Sequence, residues 1–264
     1  DRNDFADTKL LAHELVHAFQ DDELGDFGVL TTDSSFAARA LTEGEATLYE
    51  ELVAAEMDGT VPQDLDWEAH YERWVKGLRN SLPKQKSTFY AVNWFVYPLG
   101  AGMLTRAWLD GGPAGVRNVL AAFPSRTLDF VANHEAFTPG TSPALRCRVV
   151  PPSQGFAGVG ADSFGALQFY AFLAAARVPE QQAWKHAEQW RDDLLWVYLD
   201  EAEQSVVVYW RVRLSSKAQA AAVVDAIPSS SERTLEAIGQ DVLVRGSNVS
   251  GHVDVGQDDV VCDP

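Results

Sequence analysis

Through the first half of the chain, apolar residues recur at three- and four-residue intervals, the repeat that gives a helix one buried face. Leu10 and Leu11 begin the first such run, which Asp7 or Thr8 can cap and which extends to about Gln20. A loop through Thr31–Ser35 leads to a second helix, Phe36 to Met57, whose apolar stripe is interrupted by Thr42-Glu43-Gly44-Glu45. Trp67, Tyr71, Trp74 and Leu78 define a third, from Asp66 to Asn80, and Ser81 to Ser87 reads as a polar linker. Thr88 to Leu109 reads as a buried helix with a kink or break at Pro98. Gly111-Gly112-Pro113 ends it, Ala114 to Phe123 is a short helix, and Pro124–Thr127 caps another that ends near His134.

The stretch from Thr138 to Gly160, rich in Pro, Gly and Ser, marks a boundary or long loop, and the pattern changes after it. Phe164 to Arg177, Pro179 to Trp190 and Ser216 to Ile227 read as helices. Leu194 to Asp200 and Ser205 to Leu214 read as strands around the acidic turn Glu201–Gln204, with further short strands at Val242–Arg245 and Val253–Val261. The expected fold is α+β: a mostly helical core over residues 1–140, then an α+β region with a short antiparallel sheet over 141–264.

The chemistry is concentrated in the first helix, at His13-Glu14-Leu15-Val16-His17. Histidines four apart on a helix stand one above the other and can reach a single metal ion, with the intervening glutamate available as a base. A zinc site needs a third protein ligand and an open position. Glu43, in Leu41-Thr42-Glu43-Gly44-Glu45-Ala46, is the favoured candidate. Glu45 falls nearly on the opposite side of that helix, and Gly44 lets the two helices approach closely.

These two segments, His-Glu-Leu-Val-His-Ala-Phe-Gln-Asp and Ala-Leu-Thr-Glu-Gly-Glu-Ala-Thr, resemble the zincin metallopeptidases of the gluzincin kind. They are similar in particular to bacterial, secreted members with those motifs. The likeness extends to Tyr97-Pro98-Leu99-Gly100, Gly111-Gly112 and Pro124–Thr127. It implies a zincin-like core and zinc held by His13, His17 and Glu43, with Glu14 taking a proton from an activated water during peptide-bond hydrolysis. The oxyanion of such a reaction needs a donor: Tyr97 is the first choice and His134 the second. Zincins normally place a small β lobe before the His-Glu-x-x-His helix. Only twelve residues precede His13 here, so that lobe is expected on a longer precursor or replaced by another segment. The resemblance also implies a peptide or protein substrate and a secreted or cell-envelope location. Two other readings stand beside it: a binding or regulatory module with a structural metal, and a zinc-dependent amidase acting on cell-wall fragments.

Bulk properties narrow the setting. A formal net charge of −17 repels phosphate and argues against a nucleic-acid partner, and no stretch has membrane-spanning length. The two cysteines, Cys147 and Cys262, form either a disulfide tying down the C-terminal tail, which would imply an oxidising compartment, or two separate buried thiols. Trp184, Trp190, Trp196 and Trp210 read as core packing, and His70, His186 and His252 as structural or surface groups. The acidic run Asp21–Asp26 reads as a solvated loop, with calcium binding the lesser alternative.

Overall fold

A computed structural model describes residues 2–23, 28–132, 145–149, 155–202, 204–228, 233–248 and 260–262. The fold is α+β, with a helical first part followed by a sheet-containing second part. It divides into two compact units, Asp1–Pro139 and Gly140–Pro264. His134, His252, most of the strand expected at Val253–Val261, and much of the Asp21–Asp26 run and of the Thr138–Gly160 stretch lie outside the described residues.

Among its described residues the first unit is all helix. Helix α1 (Arg2–Glu23) packs on α2 (Thr32–Met57), which packs on α5 (Val96–Ala122); α3 (Trp67–Ser81) also lies on α5. Helix α2 starts four residues before the expected Phe36, because Thr31 and Ser34 cap it reciprocally. The Ser34 amide donates to Thr31 Oγ1 at 3.2 Å, and the Thr31 amide to Ser34 Oγ at 3.0 Å. Asp33, in the first turn, is buried and accepts from the backbone and hydroxyl of Thr127 at 2.8 and 2.5 Å, which fastens the start of α2 to the short helix α6 (Leu128–Val131).

The expected single helix from Thr88 to Leu109 is instead a turn of helix, α4 (Thr88–Ala91), a 3-10 turn at Val92–Phe95, and then α5. Pro98 therefore sits in the first turn of α5, where a missing N–H leaves no helical hydrogen bond unmade, and it is not a kink. The break falls at Gly112, whose φ of 58° and ψ of −149° are open only to glycine, with Pro113 restarting the helix.

Helices α2 and α5 cross at backbone contact. A Cβ on Gly100 would lie 1.6 Å from the Ala40 carbonyl oxygen, and one on Gly44 would lie 2.4 Å from the Gly100 carbonyl carbon. Gly44 thus makes room for α5, not for the first helix as its place beside Glu43 had suggested. Ala37, Ala40, Leu41 and Leu48 are buried along this seam.

The second unit is a five-stranded antiparallel sheet in the order β2-β3-β4-β6-β5. Its strands are β2 (Ala157–Asp162), β3 (Trp190–Asp200), β4 (Ser205–Leu214), β5 (Arg233–Ile238) and β6 (Asp241–Ser247). The central strand β4 is covered on both faces and is buried almost throughout instead of alternating. On one face Trp210 meets Phe164, Phe169 and Phe172 edge-on, from the entry and body of α7 (Gly165–Ala175). Helix α8 (Glu180–Ala187) packs on α7, and α9 (Lys217–Ala226) on β5 and β6. On the other face Tyr198, Val207, Tyr209 and Leu243 pack against a two-stranded ribbon, β1 (Cys147–Val149) with β7 (Val260–Cys262). Cys147 and Cys262 are paired across that ribbon and joined by a disulfide.

Candidate metal centre

Helix α1 turns a polar stripe to the rest of its unit. Lys9, His13, His17 and Gln20 recur at three- and four-residue spacing, so they share the face that meets α2. Along the facing helix they find Glu51, Glu50, Glu43 and Glu45. Lys9 Nζ lies 3.1 Å from Glu51 and 3.4 Å from Glu50. At the other end, buried Gln20 donates to the Thr42 carbonyl at 3.0 Å and to Glu45 Oε2 at 2.8 Å. Glu45 is thereby drawn toward α1 and does not point away from it. Burial pushes its carboxyl above the usual range, against the opposing pull of the Gln20 hydrogen bond and of His17.

Between these two clamps three ligand-type atoms converge. His13 Nε2 and His17 Nε2 are 3.1 Å apart, and Glu43 Oε2 lies 3.5 Å from the first and 3.4 Å from the second. Zinc held tetrahedrally by nitrogen and oxygen at about 2.0–2.2 Å needs donor atoms about 3.3–3.6 Å apart. In this triangle the two separations from Glu43 match that spacing, and the two imidazole nitrogens stand slightly closer than it. Among the described residues it is the one group of three or more His, Cys, Asp or Glu side chains with such convergence.

The far side of each imidazole decides the tautomer. His13 Nδ1 faces Glu50 Oε2 at 3.2 Å, and His17 Nδ1 faces Gln20 Oε1 at 2.9 Å. Both partners are acceptors, because Gln20 spends its amide nitrogen on Thr42 and Glu45. In the neutral ring each Nδ1 then carries the hydrogen, and each Nε2 turns a lone pair inward. With the Glu43 carboxylate, that makes three acceptors around one point. A cation would resolve this arrangement, and a carboxylate behind a ligating histidine, as Glu50 stands behind His13, is a common support at metal sites.

Tyr97, at the start of α5, stacks on His13 with ring centroids 6.4 Å apart, and its hydroxyl interacts with both Glu43 and Arg39. Burial, and then the Glu43 carboxylate, raise its pKa, with Arg39 opposing them, so the phenol keeps its proton. Arg39 precedes Glu43 by one helical turn and is held by Asn93 at 2.5 Å. Glu14 is on the exposed surface of α1, next in the chain to a ligand-type histidine. Sequence reasoning assigned no role to Arg39, Glu50 or Gln20. Only the last stood inside a quoted motif, and its spacing of three from His17 was the available signal.

The outward face of α1 carries an apolar stripe beside Glu14: Leu11, Leu15 and Phe19 are 58%, 59% and 63% exposed, so this helix buries a polar stripe and exposes a hydrophobic one. Elsewhere, Trp184, Trp190 and Trp210 are buried and Trp196 is partly buried in the second unit's core. His70 packs edge-on against Trp67 and Tyr71, and His186 is buried, with its pKa lowered by desolvation. No helix of the described residues is long and apolar enough to cross a membrane. No family model, curated protein or solved structure matches the chain.

Proposed function

We propose that the chain is a zinc-dependent peptidase with its centre at His13, His17 and Glu43. The observation that carries this reading is the triangle of three lone-pair atoms at 3.1, 3.4 and 3.5 Å, each imidazole already turned by a partner behind it. Zinc, when bound, supplies Lewis acidity that activates a water near neutral pH and polarises a carbonyl. The chain's own groups do the rest. The Glu14 carboxylate accepts a proton from the attacking water as the new carbon–oxygen bond forms, and passes it to the leaving nitrogen as the carbon–nitrogen bond breaks. The Tyr97 phenol donates to the carbonyl oxygen as that atom gains charge, and Arg39 holds the phenol in place. Glu50 and Gln20 fix the imidazoles throughout.

The test is Glu14→Gln in protein loaded with one equivalent of zinc, assayed on a pool of fluorogenic peptides. The expected outcome is unchanged zinc content with turnover reduced about 10²–10⁴-fold, the usual loss when a general base is removed. Turnover as fast as the parent's would remove Glu14 from the mechanism. Zinc binding without turnover in the parent would make the centre a structural metal site in a binding module.

A further inference from the structure

Partly buried arginines elsewhere in the chain close on a carboxylate: Arg211 and Arg213 on Asp241, and Arg245 on Glu236. Arg39 does not. It is partly buried on α2, and its contacts among the described residues are with neutral groups, the Asn93 side-chain oxygen at 2.5 Å and the Tyr97 hydroxyl. A guanidinium drawn from water without a counter-charge costs stability. Its planar fork matches a carboxylate, which it takes through two parallel hydrogen bonds. Asn93 and Tyr97 orient the fork and leave donors to spare.

The guanidinium belongs to the candidate metal centre. Tyr97 stacks on His13 at 6.4 Å, and its hydroxyl interacts with Glu43 and Arg39 together. The fork therefore lies one hydrogen bond from the phenol that, in the proposed reaction, donates to the substrate carbonyl oxygen. Two hydrogen bonds in series span at most about 6 Å. In a peptide, the carbonyl carbon under attack and the backbone carboxyl carbon of the following residue are separated by three bonds, roughly 3–4 Å. A carboxylate at that place falls within the reach of the fork. Each further residue of an extended leaving segment carries it about 3.3 Å farther off.

We infer that Arg39 receives the C-terminal carboxylate of the substrate, so that the centre releases the last residue of a peptide. The inference rests on the peptidase reading and narrows it, from peptide-bond hydrolysis in general to removal of a single C-terminal amino acid. Arg39 is then a specificity-determining residue: its charge selects which bond lies beside His13, His17 and Glu43. An amidated C-terminus leaves the guanidinium without a counter-charge, and binding loses accordingly. An aspartate side chain on the last residue offers the same chemistry one bond farther out, and the test separates the two sources.

Binding is measured apart from turnover, with the zinc-loaded Glu14→Gln protein and N-terminally fluorescein-labelled tetra-alanine, read by fluorescence anisotropy. Replacing the free C-terminal acid with an amide is expected to weaken binding about 10-fold or more, the loss of a charge-assisted pair of hydrogen bonds. An amide whose last residue is aspartate has the charge of the acid and is expected to bind as weakly as the plain amide. Binding as tight as the acid's would overturn the terminal carboxylate as the group read. Adding Arg39→Gln should bring acid and amide to equal affinity, and Arg39→Lys, which keeps the charge without the fork, should retain part of the preference. In the zinc-loaded parent, the acid should yield free alanine with a lower KM than the amide. If Arg39 served only to hold the phenol, Arg39→Gln would slow both peptides by one factor and leave the preference for the acid intact. That result would overturn the assignment, as would equal affinity of the Glu14→Gln protein for acid and amide. The two readings fail separately. Preference for the acid in a protein that takes up no zinc would remove the peptidase and leave the carboxylate receptor. Zinc-dependent cleavage that ignores amidation would remove the receptor and leave the peptidase.

Discussion

Each unit of the molecule contains a carboxylate drawn in from solvent, and the two are surrounded by opposite kinds of neighbour. Asp193, on β3 of the second unit, is encircled by donors. Ser163 Oγ approaches at 2.7 Å, the backbone amides of Phe164 and Gly165 at 3.0 and 3.1 Å, and Trp210 Nε1 at 2.5 Å. Every lone pair it offers is used, and the result is an anchor between the entry of α7 and the central strand β4. Asp241 repeats the pattern with Arg211 at 2.7 Å and Arg213 at 3.0 Å. Glu43 in the first unit faces two imidazole nitrogens that bring lone pairs of their own. A carboxylate among donors is complete; a carboxylate among acceptors has room for a cation. The same contrast separates the surfaces. The central strand β4 buries both faces, whereas α1 spends its buried face on polar groups and leaves Leu11, Leu15 and Phe19 outside.

The sharpest way to break the comparison is to delete the saturated carboxylate. Asp193→Ala leaves four donors, two of them fully buried, without their acceptor and should lower the stability of the second unit by about 3–5 kcal/mol in chemical denaturation. Zinc uptake should be unchanged. Burial pushes the Asp193 carboxyl up to about 6 from its ordinary 3.8, against its hydrogen bonds from Ser163, Trp210, Phe164 and Gly165. The folded state therefore binds more protons than the unfolded one between those values. Its contribution to stability is full below 3.8 and is lost as the pH rises through about 6. The variant should lack that pH-dependent component. An Asp193→Ala protein as stable as the parent would show that the donors are satisfied elsewhere.

A smaller effect is expected behind the candidate metal centre. Glu50→Gln keeps the size of the group that backs His13 Nδ1 but removes its charge, and should weaken zinc affinity about 10–100-fold in competition with a chelator. Stability without metal should barely change, because Glu50 is partly exposed. Unaltered affinity would mean that Glu50 does not orient the ligand.

What was legible beforehand followed from periodicity within single elements. His13 and His17 share a helix face by their spacing alone, and the alternation of strand residues placed much of β3 and β4. Contacts between elements were not legible. Glu50 reaches His13 only because α1 and α2 run side by side in one register, and Gly44 serves α5 because Gly100 happens to meet it there. Boundaries moved for identifiable local reasons: the Thr31–Ser34 cap lengthened α2, and the 3-10 turn at Val92–Phe95 put Pro98 where a helix tolerates it. Strand β5 was missed because it lies at the sheet edge, where only part of its surface is covered and the apolar signal is diluted by Arg233, Thr234 and Glu236. Strand β1 is too short, at three residues, to carry a period at all.

The central claim is that three acceptors in the first unit hold one zinc ion. It is tested most directly by metal-free protein titrated with zinc under native mass spectrometry, alongside Glu43→Ala. The expected result is one zinc per chain in the parent and at least a 100-fold loss of affinity in the variant, with the same fold by circular dichroism. Zinc uptake by the parent that Glu43→Ala leaves intact, or no stoichiometric uptake by the parent, would contradict it.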